Sequence, residues 1–245
     1  MGASTYFDQA LNTIKEVART QAGIIRSAAE MIAKGIGAGK SIFSFGASHS
    51  FILTEEMVYR SGGLMLINPI YPHGMNFSVH PLPATSRMER VLGLGRELLE
   101  ASPAKTGDIL LITSNSGRNH VVIDMALRAK EMGLQTVAIT SLAYSRAVNS
   151  RHPCGKKLCD LCDFVIDNCT PCGDAAVQIP GLAQKVGPLS TVAGCAIVNA
   201  LVTEIVSILA EKGLTPPVFL SANLDGGDEH NAKCLAANRH RIFYM

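Results

Sequence analysis

The eleven residues Ile109-Leu-Leu-Ile-Thr-Ser-Asn-Ser-Gly-Arg-Asn119 constrain this chain more tightly than any others. The apolar run Ile109 to Ile112 is the length of a buried strand, and the turn Thr106-Gly107-Asp108 precedes it. Small hydroxyl residues and Gly117 then break the run. From Asn119 to Met132 the apolar residues Val122, Met125, Ala126 and Ala129 recur at helical spacing, and Gly133 stops the pattern. A strand that leaves through a Ser/Gly turn into a helix presents unpaired N–H groups, hydroxyl donors and the positive end of a helix dipole at one point. Such a point either binds phosphate or is an ordinary helix cap, which Ser and Asn also favour.

A second segment repeats the arrangement. Ser41-Ile-Phe-Ser-Phe45 reads as a strand, Gly46-Ala-Ser-His-Ser50 as the turn, and Phe51 to Ser61 as the helix. Two such turns predict one anion held between neighbouring strand ends, where open α/β sheets collect their ligands. Strands are expected at 42–45, 64–67, 109–112, 136–139 and 164–166, with helices at 3–36, 51–61, 88–100, 119–132 and 190–213. Residues 68–87, with four prolines, read as loop. The alternation predicts a doubly wound, five-stranded parallel sheet flanked by helices. One domain spans 1–245: a helical segment 3–36, a core 37–213 and a C-terminal extension 214–245.

Hydrophobic residues make up 47% of the 245 and charged residues 17%, which supplies a core and excludes disorder. A net charge of +2 without a basic run gives no footprint for nucleic acid. The most apolar helix carries Asn199, Thr203 and Glu204, which fits a buried helix and not a membrane span. Met1 to Phe7 do not read as a secretory signal, so a cytoplasmic protein is expected. Five of the seven cysteines cluster as Cys154, Cys159, Cys162, Cys169 and Cys172. A strand at Phe164–Asp167 would hold the two Cys-x-x-Cys pairs about 13–17 Å apart, too far to share one metal, so no metal is expected.

Gly46-Ala-Ser-His-Ser50, Ser114-Asn-Ser-Gly117 and Gly187-Pro-Leu-Ser-Thr191 together resemble the sugar isomerase (SIS) domain, from about residue 35 to 212. The resemblance implies a flavodoxin-like fold and a phosphosugar ligand. Ser48-His49 and Glu55-Glu56 are similar to bacterial phosphoheptose isomerase, although its glutamates lie two residues further on and its last helix carries a histidine absent here. The best match is an uncharacterised branch with the same C-terminal tail. On this reading Ser48, Ser50, Ser114, Ser116 and Asn119 donate to the phosphate. Gly46 and Gly117 permit close backbone approach, and Ser190 and Thr191 either add a wall or cap the last helix.

Aldose–ketose isomerisation needs a base that moves a proton between adjacent carbons. Glu55 and Glu56 follow the first loop within reach of a bound sugar, and consecutive helix positions diverge so that one of them faces inward. His49 either contacts ring oxygens or caps the turn, and His73 and His80 stand where a loop would cover the site. The polar stretch Ser221 to Asn231 either docks as a structural tail or closes a sugar pocket with Asp228, Glu229 or His230. An isomerase without cofactor is expected; a phosphosugar sensor and an amino-sugar-phosphate lyase or etherase are the alternatives. The apolar first and last helices predict a homo-oligomer, dimer or tetramer.

Overall fold

A computed structural model describes residues 2–245. A 36-residue helix α1 (Gly2–Gly37) leads into β1 (Ile42–Gly46), a short 3₁₀ turn Ser48–Ser50 and α2 (Phe51–Met57). β2 (Ile67–Pro69), α3 (Pro83–Met88) and α4 (Leu94–Glu100) follow. β3 (Ile109–Thr113), α5 (His120–Met132), β4 (Gln135–Thr140), α6 (Leu142–Ala147) and β5 (Phe164–Asp167) complete the central sheet region. A hairpin of β6 (Ala175–Val177) and β7 (Val186–Pro188) precedes α7 (Ser190–Glu211) and α8 (Gly227–Asn238).

The sheet is parallel throughout, in the order β2-β1-β3-β4-β5. Successive side chains of each strand enter opposite layers. Ile42, Ile109, Leu111, Val137, Ile139 and Ile166 pack beneath α1, α2 and α7. Phe43, Phe45, Leu110, Ile112 and Ala138 pack against α4 and α5. The expected doubly wound sheet is present, and its strand order reverses between β1 and β3. In register these strands end together, with Gly46 opposite Thr113. The two Ser-bearing turns therefore leave the sheet side by side, at its topological switch point.

α7 is long and apolar enough to cross a membrane by length and composition alone. Ile197, Val198, Leu201 and Ile205 of that helix are buried in the sheet's first layer, and Glu204 pairs with Arg26 of α1 at 2.5 Å. The helix is held as a core element.

Several elements differ from the sequence reading. The second strand lies at 67–69 and not 64–67, because Leu64 bridges to Val218 and the Met65 N–H donates to the Pro217 carbonyl. The second helix stops at Met57, where Val58 is extended and Tyr59 has φ 51°. The expected helix 88–100 is broken: α3 ends at Met88 and α4 begins at Leu94, with Gly93 at φ 87° between them. α6 and the β6–β7 hairpin lie in segments read as connections.

The break between α3 and α4 has a packing cause. A Cβ at Gly95 would stand 1.9 Å from the Val121 carbonyl oxygen, so α4 seats directly on the first turn of α5. The Gly93 N–H donates to Asp124 Oδ2 at 2.7 Å, and the Val121 N–H donates to the Glu89 carbonyl. These bonds clamp residues 89–95 beside the N-terminus of α5. Gly95→Ala is expected to lower unfolding free energy by about 2 kcal/mol through overpacking. Gly23→Ala, in α1 where a Cβ meets nothing within 4 Å, is expected to raise it by about 0.5–1 kcal/mol. Urea denaturation of the two variants checks both signs.

Candidate functional site

At the carboxyl ends of β1 and β3 lies a cavity of about 310 Å³. Its walls come from the first turn (Ala47, Ser48, His49, Ser50), the second (Ser114, Asn115, Ser116, Asn119) and the start of α7 (Ser190, Thr191). Glu89, Tyr144 and Asp174 close the remaining sides. Residues 48 and 116 are far apart in sequence, yet the register of β1 on β3 brings them to one space.

The turns are fastened to each other below the cavity. Thr113, fully buried at the end of β3, donates its hydroxyl to the Ser50 carbonyl at 2.8 Å and approaches the Phe45 carbonyl at 3.3 Å. A Cβ at Gly46 would meet both Thr113 Oγ1 and the Ser50 oxygen at 2.4 Å. Glycine is thus required at 46 so that the turns can touch each other. Gly117, with φ 62°, makes the left-handed bend that the second turn needs.

The donors are not equivalent. Ser48 donates to Glu89 Oε1 and the Asn119 amide donates to Glu89 Oε2, each at 2.7 Å. Arg151 in turn donates to Asn119 Oδ1 at 2.6 Å. Asn119 occupies the N-cap of α5 but makes no capping bond with its side chain, which is spent on Glu89 and Arg151. The Ser50 and Ser116 hydroxyls enter no hydrogen bond among the described residues, and Ser114 Oγ accepts only the Gly117 N–H at 3.3 Å. Asn115 fixes its carboxamide oxygen on Asn168 and Thr170, at 2.9 and 3.1 Å.

The N-terminus of α7 is already filled. Asp174 Oδ1 accepts from the Leu189 and Ser190 N–H groups, and Oδ2 accepts from the Ser190 hydroxyl at 2.6 Å. Ser190 is a cap partner facing the cavity, whereas Thr191 lines it without such a bond.

Glu55 is exposed on α2, and Glu56 is tied to Arg60 and to the Asn199 amide of α7. Neither lines the cavity. His49 lines it and stacks edge-on against Phe77 at 4.4 Å. His230 lies in a separate groove beside Val218, whose carbonyl it contacts at 3.1 Å. The tail docks on the sheet's β2 edge: Asn68 exchanges bonds with Arg241 and Phe243, and Tyr244 donates to the Met65 carbonyl. Asp228 and Glu229 are exposed there, outside the cavity. Glu89, Asn115 and Asp174 are cavity residues that the sequence reading did not single out.

Strand β5 does run between the two cysteine pairs. Cys154 and Cys172 are exposed, while burial pushes the Cys162 thiol up to about 12. Among the described residues no group of three or more His, Cys, Asp or Glu is placed to hold a metal ion.

The model of the SIS domain family matches residues 5–141. A UPF0309 protein of Shouchella clausii is 42% identical over 240 residues, covering 98% of each chain. A second UPF0309 protein, from Oceanobacillus iheyensis, is 45% identical over 237 residues, 97% of this chain and 95% of its own. Among solved structures, a phosphoheptose isomerase from Francisella tularensis superposes with a TM-score of 0.56 at 14% identity, covering 83% of this chain and 95% of its own. The phosphoheptose isomerase of Neisseria gonorrhoeae gives 0.54 at 14%, covering 84% and 97%. At such identity the likeness establishes a shared fold.

Thr113→Val keeps the volume and removes the hydroxyl that joins the turns. It is expected to cost about 1–2 kcal/mol of stability, read as a lower urea midpoint with unchanged slope.

Proposed function

The chain belongs to the SIS domain family, and from that premise we propose that it binds a phosphorylated sugar and isomerises it between aldose and ketose forms. The observation that carries this reading is the convergence on one cavity of two hydroxyl-lined turns and a helix N-terminus whose N-cap side chain makes no capping bond. The α5 N-terminus offers its dipole and the first-turn N–H groups other than that of Val121, which the Glu89 carbonyl takes; both favour a phosphoryl group. Ser50, Ser114 and Ser116 add hydroxyl donors, with Thr191 opposite. α7 is the poorer site, because Asp174 already supplies its anion. A volume of about 310 Å³ lies at the small end of ligand pockets, which run from roughly 300 to 1,000 Å³; it suits one sugar phosphate.

The reaction needs a carboxylate to take the proton from the carbon beside the carbonyl and return it to the neighbouring carbon. In this reading Glu89 takes that role within the subunit, with His49 positioned toward ring oxygens. Glu55, Glu56 and His230 enter only where another copy of the chain extends the pocket across α2 and α7. That arrangement goes with the proposed homo-oligomer, and a monomeric mass by light scattering would remove it. No metal or nucleotide is required.

One observation favours a binding protein without turnover. Both Glu89 oxygens already accept a hydrogen bond, from Ser48 and Asn119. Incubation with a panel of hexose and heptose phosphates, followed by NMR, separates the readings. Isomerisation is expected, slowed by about 10²–10⁴-fold in Glu89→Gln with little change in KM. Loss of activity in Glu56→Gln alone would move the base to α2. Thermal stabilisation by the same sugars without any turnover would leave a sensor. Ser116→Ala is expected to weaken phosphosugar binding by about tenfold, the value of one hydrogen bond to a charged group.

A further inference from the structure

Three arginines gather beside the Glu89–Asn119 pair, just outside the residues that line the cavity. Arg90 follows Glu89 directly, Arg118 precedes Asn119, and Arg151 bonds the Asn119 side chain at 2.6 Å. The backbone fixes the group, since the Arg151 N–H donates to the Arg118 carbonyl at 3.0 Å. Several other arginines have carboxylate partners: Arg26 pairs with Glu204, and Arg96 and Arg128 both pair with Glu131, whereas Arg87, Arg146 and Arg239 stand singly on the surface with none among the described residues. Around the cavity the only nearby acid that acts on Arg151 is Glu89, and its two oxygens are held by Ser48 and Asn119, not by a guanidinium.

The guanidinium of Arg118 is the most telling. Its Nε is buried and has no hydrogen-bond partner, a state shared by the Nε of Arg128 and Arg241 but here set beside the cavity residue Asn119; such an arrangement costs free energy unless something else completes it. Arg151 also bears the consequences of crowding. Desolvation and then the positive charges of Arg118 and Arg90 pull its pKa below the ordinary arginine value. Like charges held together beside a ligand cavity, one of them with a buried orphan donor, form a site that an anion would relieve. The Ser loop lies at the strand ends and accounts for one phosphoryl group. The arginines lie beyond Asn119 and are left over.

We propose that the ligand carries a second acidic group besides its phosphate, a carboxylate or another phosphoryl, and that Arg118 and Arg151 bind it with Arg90 closing the rim. This rests on the phosphosugar reading and narrows it to doubly acidic sugars. A guanidinium fork suits either group, because both present paired oxygens in one plane.

The test is calorimetric titration of the whole chain at 0.15 M salt, where long-range attraction is screened. The probes are glucose 6-phosphate, 6-phosphogluconate and fructose 1,6-bisphosphate. At least one of the two doubly acidic sugars is expected to bind about tenfold or more tightly than glucose 6-phosphate. Arg118→Gln is expected to abolish that advantage and leave glucose 6-phosphate nearly unchanged; Arg151→Gln is expected to abolish it as well, with a further loss common to all three sugars because Asn119 loses its partner. Arg239→Gln, at the exposed C-terminal turn, is expected to alter nothing. Arg90→Gln, on an exposed side chain, reads the same site should Arg118→Gln fail to fold. A gain from 6-phosphogluconate alone assigns a carboxylate, and one from the bisphosphate alone assigns a phosphoryl group.

Equal affinities for the three sugars would overturn the inference while leaving the phosphosugar reading intact. So would an equal loss for all three in the arginine variants, which would make the arginines part of the first phosphate site. Absence of binding by every probe, with Ser116→Ala indistinguishable from the parent, would overturn both.

Discussion

The site depends on the pairing of β1 with β3. Each strand alone ends in a small polar turn of little consequence. Side by side, with Gly46 opposite Thr113, the turns become two walls of one cavity. One buried hydroxyl makes the junction, and the missing side chain at 46 gives it room. The geometry of the cavity is therefore set by residues of the core beneath it. The parallel ladder transmits it: strands buried on both faces do not slip in register without exposing apolar side chains, so the turns stay aligned.

Much of this was legible in the chain because it rests on local signals. The apolar runs at 42–45, 109–112 and 136–139 are strands, since short aliphatic segments bounded by turn residues have few other ways to be buried. The Ser/Gly turns were readable for the same reason. What escaped depends on tertiary contact. Met88 to Glu100 has a helical composition, yet α4's seat on α5 breaks it at Gly93, and the break places Glu89 over the cavity. Two glycines within six residues, Gly93 and Gly95, were the available warning. Asp174 was hidden differently: its value as a cap appears only when the β6–β7 hairpin folds it onto α7. The polar tail drew attention by composition, but its Asn231 side chain satisfies the Leu220 backbone within the tail, and Arg241 satisfies the Ile36 and Lys40 carbonyls ahead of β1.

The two helix termini at the cavity illustrate how charge selects between equivalent-looking sites. Both α5 and α7 begin beside Ser-rich turns, and both dipoles favour an anion. Asp174 satisfies α7 from within the chain. At α5 the N-cap side chain is diverted to Glu89 and Arg151 and the Glu89 carbonyl takes the Val121 N–H, so in the proposed reading the rest of the helix start is left for an external group. A sequence motif cannot express that distinction, because it is decided by where one carboxylate folds.

A carboxylate inside the proposed anion site looks self-defeating until its partners are considered. Glu89 is held by neutral donors, Ser48 and Asn119, and Asn119 is itself polarised by Arg151. A phosphosugar offers those same donors competing acceptors. In the proposed reaction, each donor that turns to the ligand frees a Glu89 lone pair to take a proton from carbon, so occupancy and proton transfer become linked through shared hydrogen bonds. The surrounding arginines then offset the negative charge that two anions would otherwise bring together. In that proposal the filled site differs from the empty one in which groups are paired.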